Sequence, residues 1–305
     1  MKLHTLTCAA ILCAGSLLAV PLDIEGSLAE LKTLVEKKDS VEVKKLATEI
    51  SAQAREEAAE AAPAAAADKE AWQSKVARAK EIDLYTEYAL SATALQSEPA
   101  VLVDLIATLE HQNPKSKYLD DAYAAYFVAL TKSGAAAKVP AVAEKALANF
   151  PSNPDILYVL ADAAYAGKRF DRAAAFGARL AAAIAKKAKP EGMPAADWDK
   201  KKSLTSGYAY RIAGLSYFQQ NDYFNAEKNL RPSIPFLKGG DEGTLATVLY
   251  CMCVSDYNLG RQGLNKAQML EGANYCDQAA KLKSPVAQQA WTNAHNIRAE
   301  AERKR

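Results

Sequence analysis

Histidine, cysteine and glycine are all scarce here: three, five and 14 in 305 residues. No His-Glu-x-x-His, no Cys-x-x-Cys, no Gly-x-Ser-x-Gly elbow and no Gly-rich phosphate loop occurs; "AGKRF" at 166–170 lacks the spacing and hydroxyl of such a loop. His4 lies in the leading apolar run, His111 near a helix end before Pro114, and His295 in the last predicted helix, too scattered for a shared site. An excess of one charge is missing too. With 38 Lys+Arg against 36 Asp+Glu the chain lacks the basic surface that phosphate backbones require, which excludes a nucleic-acid binder. Clusters of β-branched residues bounded by turn residues are nearly absent, which removes the usual material of sheets. These absences predict no enzyme, no metal and no cofactor. Asp197 and Asp199, flanking Trp198, sit in a Lys-rich stretch without the pocket a carboxylate pair would need.

What remains is rich in Ala, Leu, Lys and Glu, residues that lose little side-chain freedom in a helix, so the fold class is all-α. The first residues, "MKLHTLTCAAILCAGSLLAV", place one Lys before an apolar run ending in small residues. That layout predicts a signal peptide over 1–19, cut after Ala19, and an exported protein of the periplasm or extracellular space. The alternative is an uncleaved anchor, the one way a membrane would be involved. Of the cysteines beyond it, Cys276 could pair with Cys251 or Cys253; the three as small apolar fillers is the preferred reading. Residues 20–68 hold one or two amphipathic helices, with Ile24, Leu28, Leu31 and Val35 as an apolar stripe, and an Ala/Pro linker at 61–68.

A pattern recurs over 71–303. Tyr210, Ala213, Gly214 and Tyr217 share one helical face, and Tyr250/Tyr257, Tyr158/Tyr165 and Leu119/Tyr126 repeat the seven-residue interval. Tyr88 marks a fainter first copy. The second tyrosines, 88, 126, 165, 217 and 257, are 38, 39, 52 and 40 residues apart, the spacing of stacked helical hairpins. Each copy is followed by a second apolar helix, such as "EPAVLVDLIATLEHQ" and "DRAAAFGARLAAAI". Pro232 and Pro235 are expected to kink or end the fourth of these. The 52-residue gap is assigned to an exposed insertion loop at 186–202, and 285–303 to a capping helix.

Tyr210-x2-Ala213-Gly214-x2-Tyr217, followed by Tyr223 and Ala226, resembles the tetratricopeptide repeat, whose consensus begins Trp-x2-Leu-Gly-x2-Tyr. Tyr or Leu stands for the Trp, and Asp162 and Val254 for the Gly, in the other copies. The resemblance implies a right-handed solenoid of about five helix-turn-helix hairpins. It also implies a non-enzymatic scaffold that binds a protein or peptide in a groove lined by the first helix of each hairpin. If the Tyr-x6-Tyr face packs inward, the neighbouring positions line that groove: Tyr208, Arg211, Phe218 and Gln219, then Ser255 and Asn258, Ile156 and Val159, and Asp120 and Phe127. Phe127 and Phe218 have packing between repeats as their competing role. The basic set with which one family variant grips a terminal carboxylate is missing. A self-associating structural component is the alternative function, and an enzyme with a site in the groove or at 186–202 is a lesser one.

Overall fold

The computed structural model describes residues 23–190 and 192–303. The segment expected to be a signal peptide lies outside them. Thirteen α-helices and two short 3-10 turns, with no strand, make up the regular structure of the described residues. No helix among them is long and apolar enough to cross a membrane. The chain divides into two compact units at Leu90/Ser91, inside a helix rather than in the Ala/Pro segment.

In the first unit α1 (Ile24–Lys37) and α2 (Ser40–Ala58) pack side by side, and α3 (Lys69–Ala94) contributes its part up to Leu90. The Asp23 and Asp39 carboxylates cap α1 and α2 by accepting from the N–H groups of Gly26 and Glu42. Leu28, Leu31, Val43, Ala47 and Ile50 are buried, as the amphipathic pattern requires. Asp83 of α3 accepts from the Ser51 hydroxyl at 2.6 Å and from Arg55 at 2.9 Å.

The second unit continues with α4 (Pro99–Gln112), α5 (Lys117–Lys132), α6 (Val139–Leu147), α7 (Pro154–Ala166), α8 (Phe170–Lys186), α9 (Ala195–Gln219), α10 (Tyr223–Leu237), α11 (Glu242–Gln262), α12 (Lys266–Ala280) and α13 (Ala287–Arg303). Consecutive helices pack on one another, and α5 also touches α7, α7 touches α9, α9 touches α11 and α11 touches α13.

One turn geometry joins α1 to α2, α7 to α8, α9 to α10 and α11 to α12, and also ends α5. A residue in the left-handed region stands there: Lys38, Lys168, Asn221, Leu264 and Gly134 respectively. The next N–H then reaches back five residues: Asp39 to the Leu34 carbonyl, Ala135 to Leu130, Arg169 to Ala164, Asp222 to Tyr217 and Asn265 to Gly260, all within 2.7–3.1 Å. This is the six-to-one closure that satisfies the free carbonyls of a helix end. Asp39, Asp222 and Asn265 then cap the following helix with their own side chains. The recurrence of one turn is the clearest internal repeat in the structure.

Small residues set the spacing within the pairs. A Cβ on Gly214 would lie 2.5 Å from Leu230 Cγ and 2.9 Å from the Leu230 backbone nitrogen, so α9 and α10 meet in near-backbone contact. Gly272 of α12 sits equally close to the Cys253 carbonyl of α11.

Three expectations need correction. The 186–202 insertion is not a loop: α8 runs to Lys186 and α9 starts at Ala195, leaving 187–194 as the connection. Trp198 is buried, and its aromatic surface holds this added stretch of α9 against the fold despite the surrounding lysines. Pro232 and Pro235 both lie inside α10, which does not end at them. Leu230 and the buried Ser233, whose hydroxyl donates to the Leu230 carbonyl at 2.7 Å, fix that segment by packing where two backbone donors are lost. Finally, Cys253 and Cys276 form a disulfide between α11 and α12, and among the described residues Cys251 alone is a free, buried filler. Burial alone pushes the Cys251 thiol up to about 12, so it stays protonated.

Candidate functional site

The helices that open the pairs, α5, α7, α9 and α11, present two clefts. The larger, 570 Å³, lies between α5 and α7 and reaches Thr205 of α9. Ala124, Phe127, Val128 and Val159 give it apolar walls, with Lys132 and Asp155 at its margin. Val128 is 53% and Tyr158 41% exposed, although both are large and apolar in body. Asp155 is held by Lys201 at 3.2 Å.

Tyr158 carries the surface onward. Its ring stacks on Tyr208 of α9 with centroids 4.0 Å apart, and the Tyr208 hydroxyl donates to Asp162 Oδ1 at 3.1 Å. Arg211 places its guanidinium carbon 5.5 Å from the Tyr208 ring centroid. Burial, then the Asp162 charge, raise the Tyr208 phenol well above its ordinary range, so it remains a neutral donor.

The second cleft, 360 Å³, lies between α11 and α13 and is lined by Tyr250, Val254, Tyr257, Asn258, Asn293, Asn296, Ile297 and Glu300. Tyr257 donates to Glu300 at 2.6 Å and Asn293 to the Tyr250 hydroxyl at 3.3 Å.

Of the residues expected to line a groove, Tyr208 and Arg211 come together, Gln219 is exposed at the far end of α9, Val159 lines the larger cleft and Asn258 the smaller. Ile156 and Ser255 are fully buried and offer nothing to a partner. Phe127 contributes to the cleft wall but is 6% exposed, packed on Tyr123 and Tyr126. Phe218 meets Tyr223 edge-on and packs against the Ala226–Met252 core, the competing role foreseen for it. Asp120 sits elsewhere, accepting from Asn153 at 2.8 Å and pairing with Lys187 at 3.1 Å beside a cleft shared with Phe150 and Arg179.

On α7 the misplacement has a clear cause. The core face of α7 is Ile156, Leu157, Leu160, Ala161 and Ala164, about a residue's rotation away from the assumed Tyr158–Ala161–Tyr165 face. Tyr158 and Asp162 were therefore missed as surface residues, and the exposed Val128 of α5 was missed as well. The signal that marks Tyr158 is its hydroxyl: a Tyr at the edge of an Ala-rich face keeps its polar end in water. Asp197 and Asp199 are both exposed on either side of buried Trp198. Among the described residues no group of three His, Cys, Asp or Glu is placed to hold a metal ion.

No protein-family model, no curated protein and no solved structure matches this chain.

Proposed function

We propose that this chain is an exported, non-enzymatic helical-repeat scaffold that binds a protein or peptide partner across the exposed faces of α5, α7 and α9. The observation that carries the reading is the 570 Å³ cleft continuous with the Tyr158–Tyr208 stack and Arg211. Tyr and Arg are favoured anchors where surfaces meet, and here they are held in place by their own contacts before any partner arrives. The repeated turn and the contacts between alternate helices support the finer architecture, a right-handed solenoid of hairpins similar to tetratricopeptide repeats. The Cys253–Cys276 bridge favours an oxidising compartment and hence export. Sequencing the amino terminus of the mature protein is expected to start near Val20; recovery of Met1 would remove the export reading.

The binding reading is tested by crosslinking and pull-down in cells, comparing the wild type with a Tyr158→Ala/Arg211→Glu double variant whose melting curve is unchanged. A partner captured by the wild type and lost from the variant supports the reading. Equal capture by both moves the interface off this face, and capture of a second copy alone replaces the scaffold with a self-associating component.

A further inference from the structure

Three carboxylates converge on one guanidinium where α10, α11 and α12 meet. Arg231 of α10 donates through Nη1 to Glu271 at 2.8 Å and to the Tyr275 hydroxyl at 2.9 Å, both on α12. Its Nε pairs with Glu227, one turn earlier on α10. The third carboxylate, Asp256 of α11, is different in kind. It is completely buried, its Oδ1 accepts only a long 3.4 Å bond from Gln268, and its Oδ2 has no hydrogen bond, with Arg231 Nη2 3.6 Å away. The surroundings cannot easily open to admit water. Gly272 brings α12 so near that its Cβ would stand 3.3 Å from Asp256 Cβ, and the disulfide ties the same two helices one turn away at Cys253.

We propose that this cluster is a proton-responsive clamp, in which mild acidification neutralises Asp256 and tightens the junction of α10, α11 and α12. As an anion, Asp256 has the cost of desolvation and two other carboxylates around the one cation it shares. As a neutral acid it loses both penalties and gains a hydroxyl donor for the unsatisfied side of the group. Burial is the largest influence on its carboxyl, opposed by Gln268 and Arg231 and reinforced by Glu271 and Glu227, and together they push it up to about 6. The unfolded chain ionises near the ordinary value of 3.8. Between those two values the folded state holds a proton that the unfolded state has lost, so stability falls as pH rises from about 3.8 to about 6 and levels off above. Each pH unit gained below 6 is worth about tenfold in the unfolding equilibrium.

The test is equilibrium urea unfolding of the whole chain at pH 7 and pH 5, for the wild type and Asp256→Asn. Relative to the variant, the wild type is expected to gain about tenfold in its folding equilibrium on going to pH 5; the comparison cancels groups that titrate in both proteins. Parallel behaviour of the two overturns the proposal. Should the variant fail to fold, carbon NMR of the Asp256 carboxyl in the wild type decides: a midpoint near 6 supports the clamp, and one at or below 4 refutes it.

Discussion

Leu264 sits in the left-handed region with φ 52° and is 82% exposed, at the position of the α11–α12 turn where glycine would be free of strain. The left-handed penalty for a side-chain-bearing residue, less the extra chain entropy of glycine, predicts that Leu264→Gly stabilises the protein by roughly 0.5–1 kcal/mol. Thermal melting checks this, and an unchanged or lower midpoint would mean the Leu264 side chain makes a compensating contribution. Gly214 is the opposite case. Alanine there improves helix propensity yet drives a methyl into the Leu230 backbone, and overpacking of that kind costs about 1–3 kcal/mol. A melting curve for Gly214→Ala equal to the wild type would show that α9 and α10 can separate at little cost. Both residues were visible in the sequence, but only Gly214 carried a message there, because its place between aromatic positions marked a close crossing. The strain at Leu264 belongs to a backbone angle that no residue type announces.

At the scale of helices, periodicity and caps made most of the fold legible. Pro99 and Pro140 stand in first helical turns, and α4, α8 and α12 fall where their apolar patterns place them. The stretch before Tyr208 did not read as helix, since Lys200, Lys201 and Lys202 resemble a solvated loop; Trp198, which is buried, was the cue to the contrary, and Lys201 and Lys202 are half-buried beside it. Pro232 and Pro235 do not end α10 for a related reason: local propensity is a weak prior once both flanks are packed. The disulfide was undecided from sequence because Cys251 and Cys253 lie on one helix about 200° apart in rotation, and only the register of α12 selects between them. Closing a 23-residue separation, that bridge is expected to contribute about 2–4 kcal/mol, so Cys276→Ser should unfold at lower urea concentration. If reduction of the wild type left the unfolding midpoint unchanged, the bridge would have no role in holding α11 to α12.

For the molecule as a whole, the functional proposal rests on which side of α5, α7 and α9 faces outward. The sequence placed the binding surface on the helices that open each pair, and the Tyr158–Tyr208–Arg211 surface lies on them; the inward face was set correctly on α5, where Leu119, Ala122 and Tyr126 are buried, but the rotation of α7 was set wrongly. Ala fills so many positions that an Ala-rich face and its neighbour look alike until the packing partner is known. The most direct test is site-specific photocrosslinking in cells, with benzoylphenylalanine placed at Val128 or Tyr158 on this surface and at Phe224 or Lys228 on α10. The account predicts a shared heteromeric adduct from Val128 and Tyr158 and none from the α10 positions. Adducts confined to Phe224 and Lys228 would contradict it and put the partner on the other helices of the pairs.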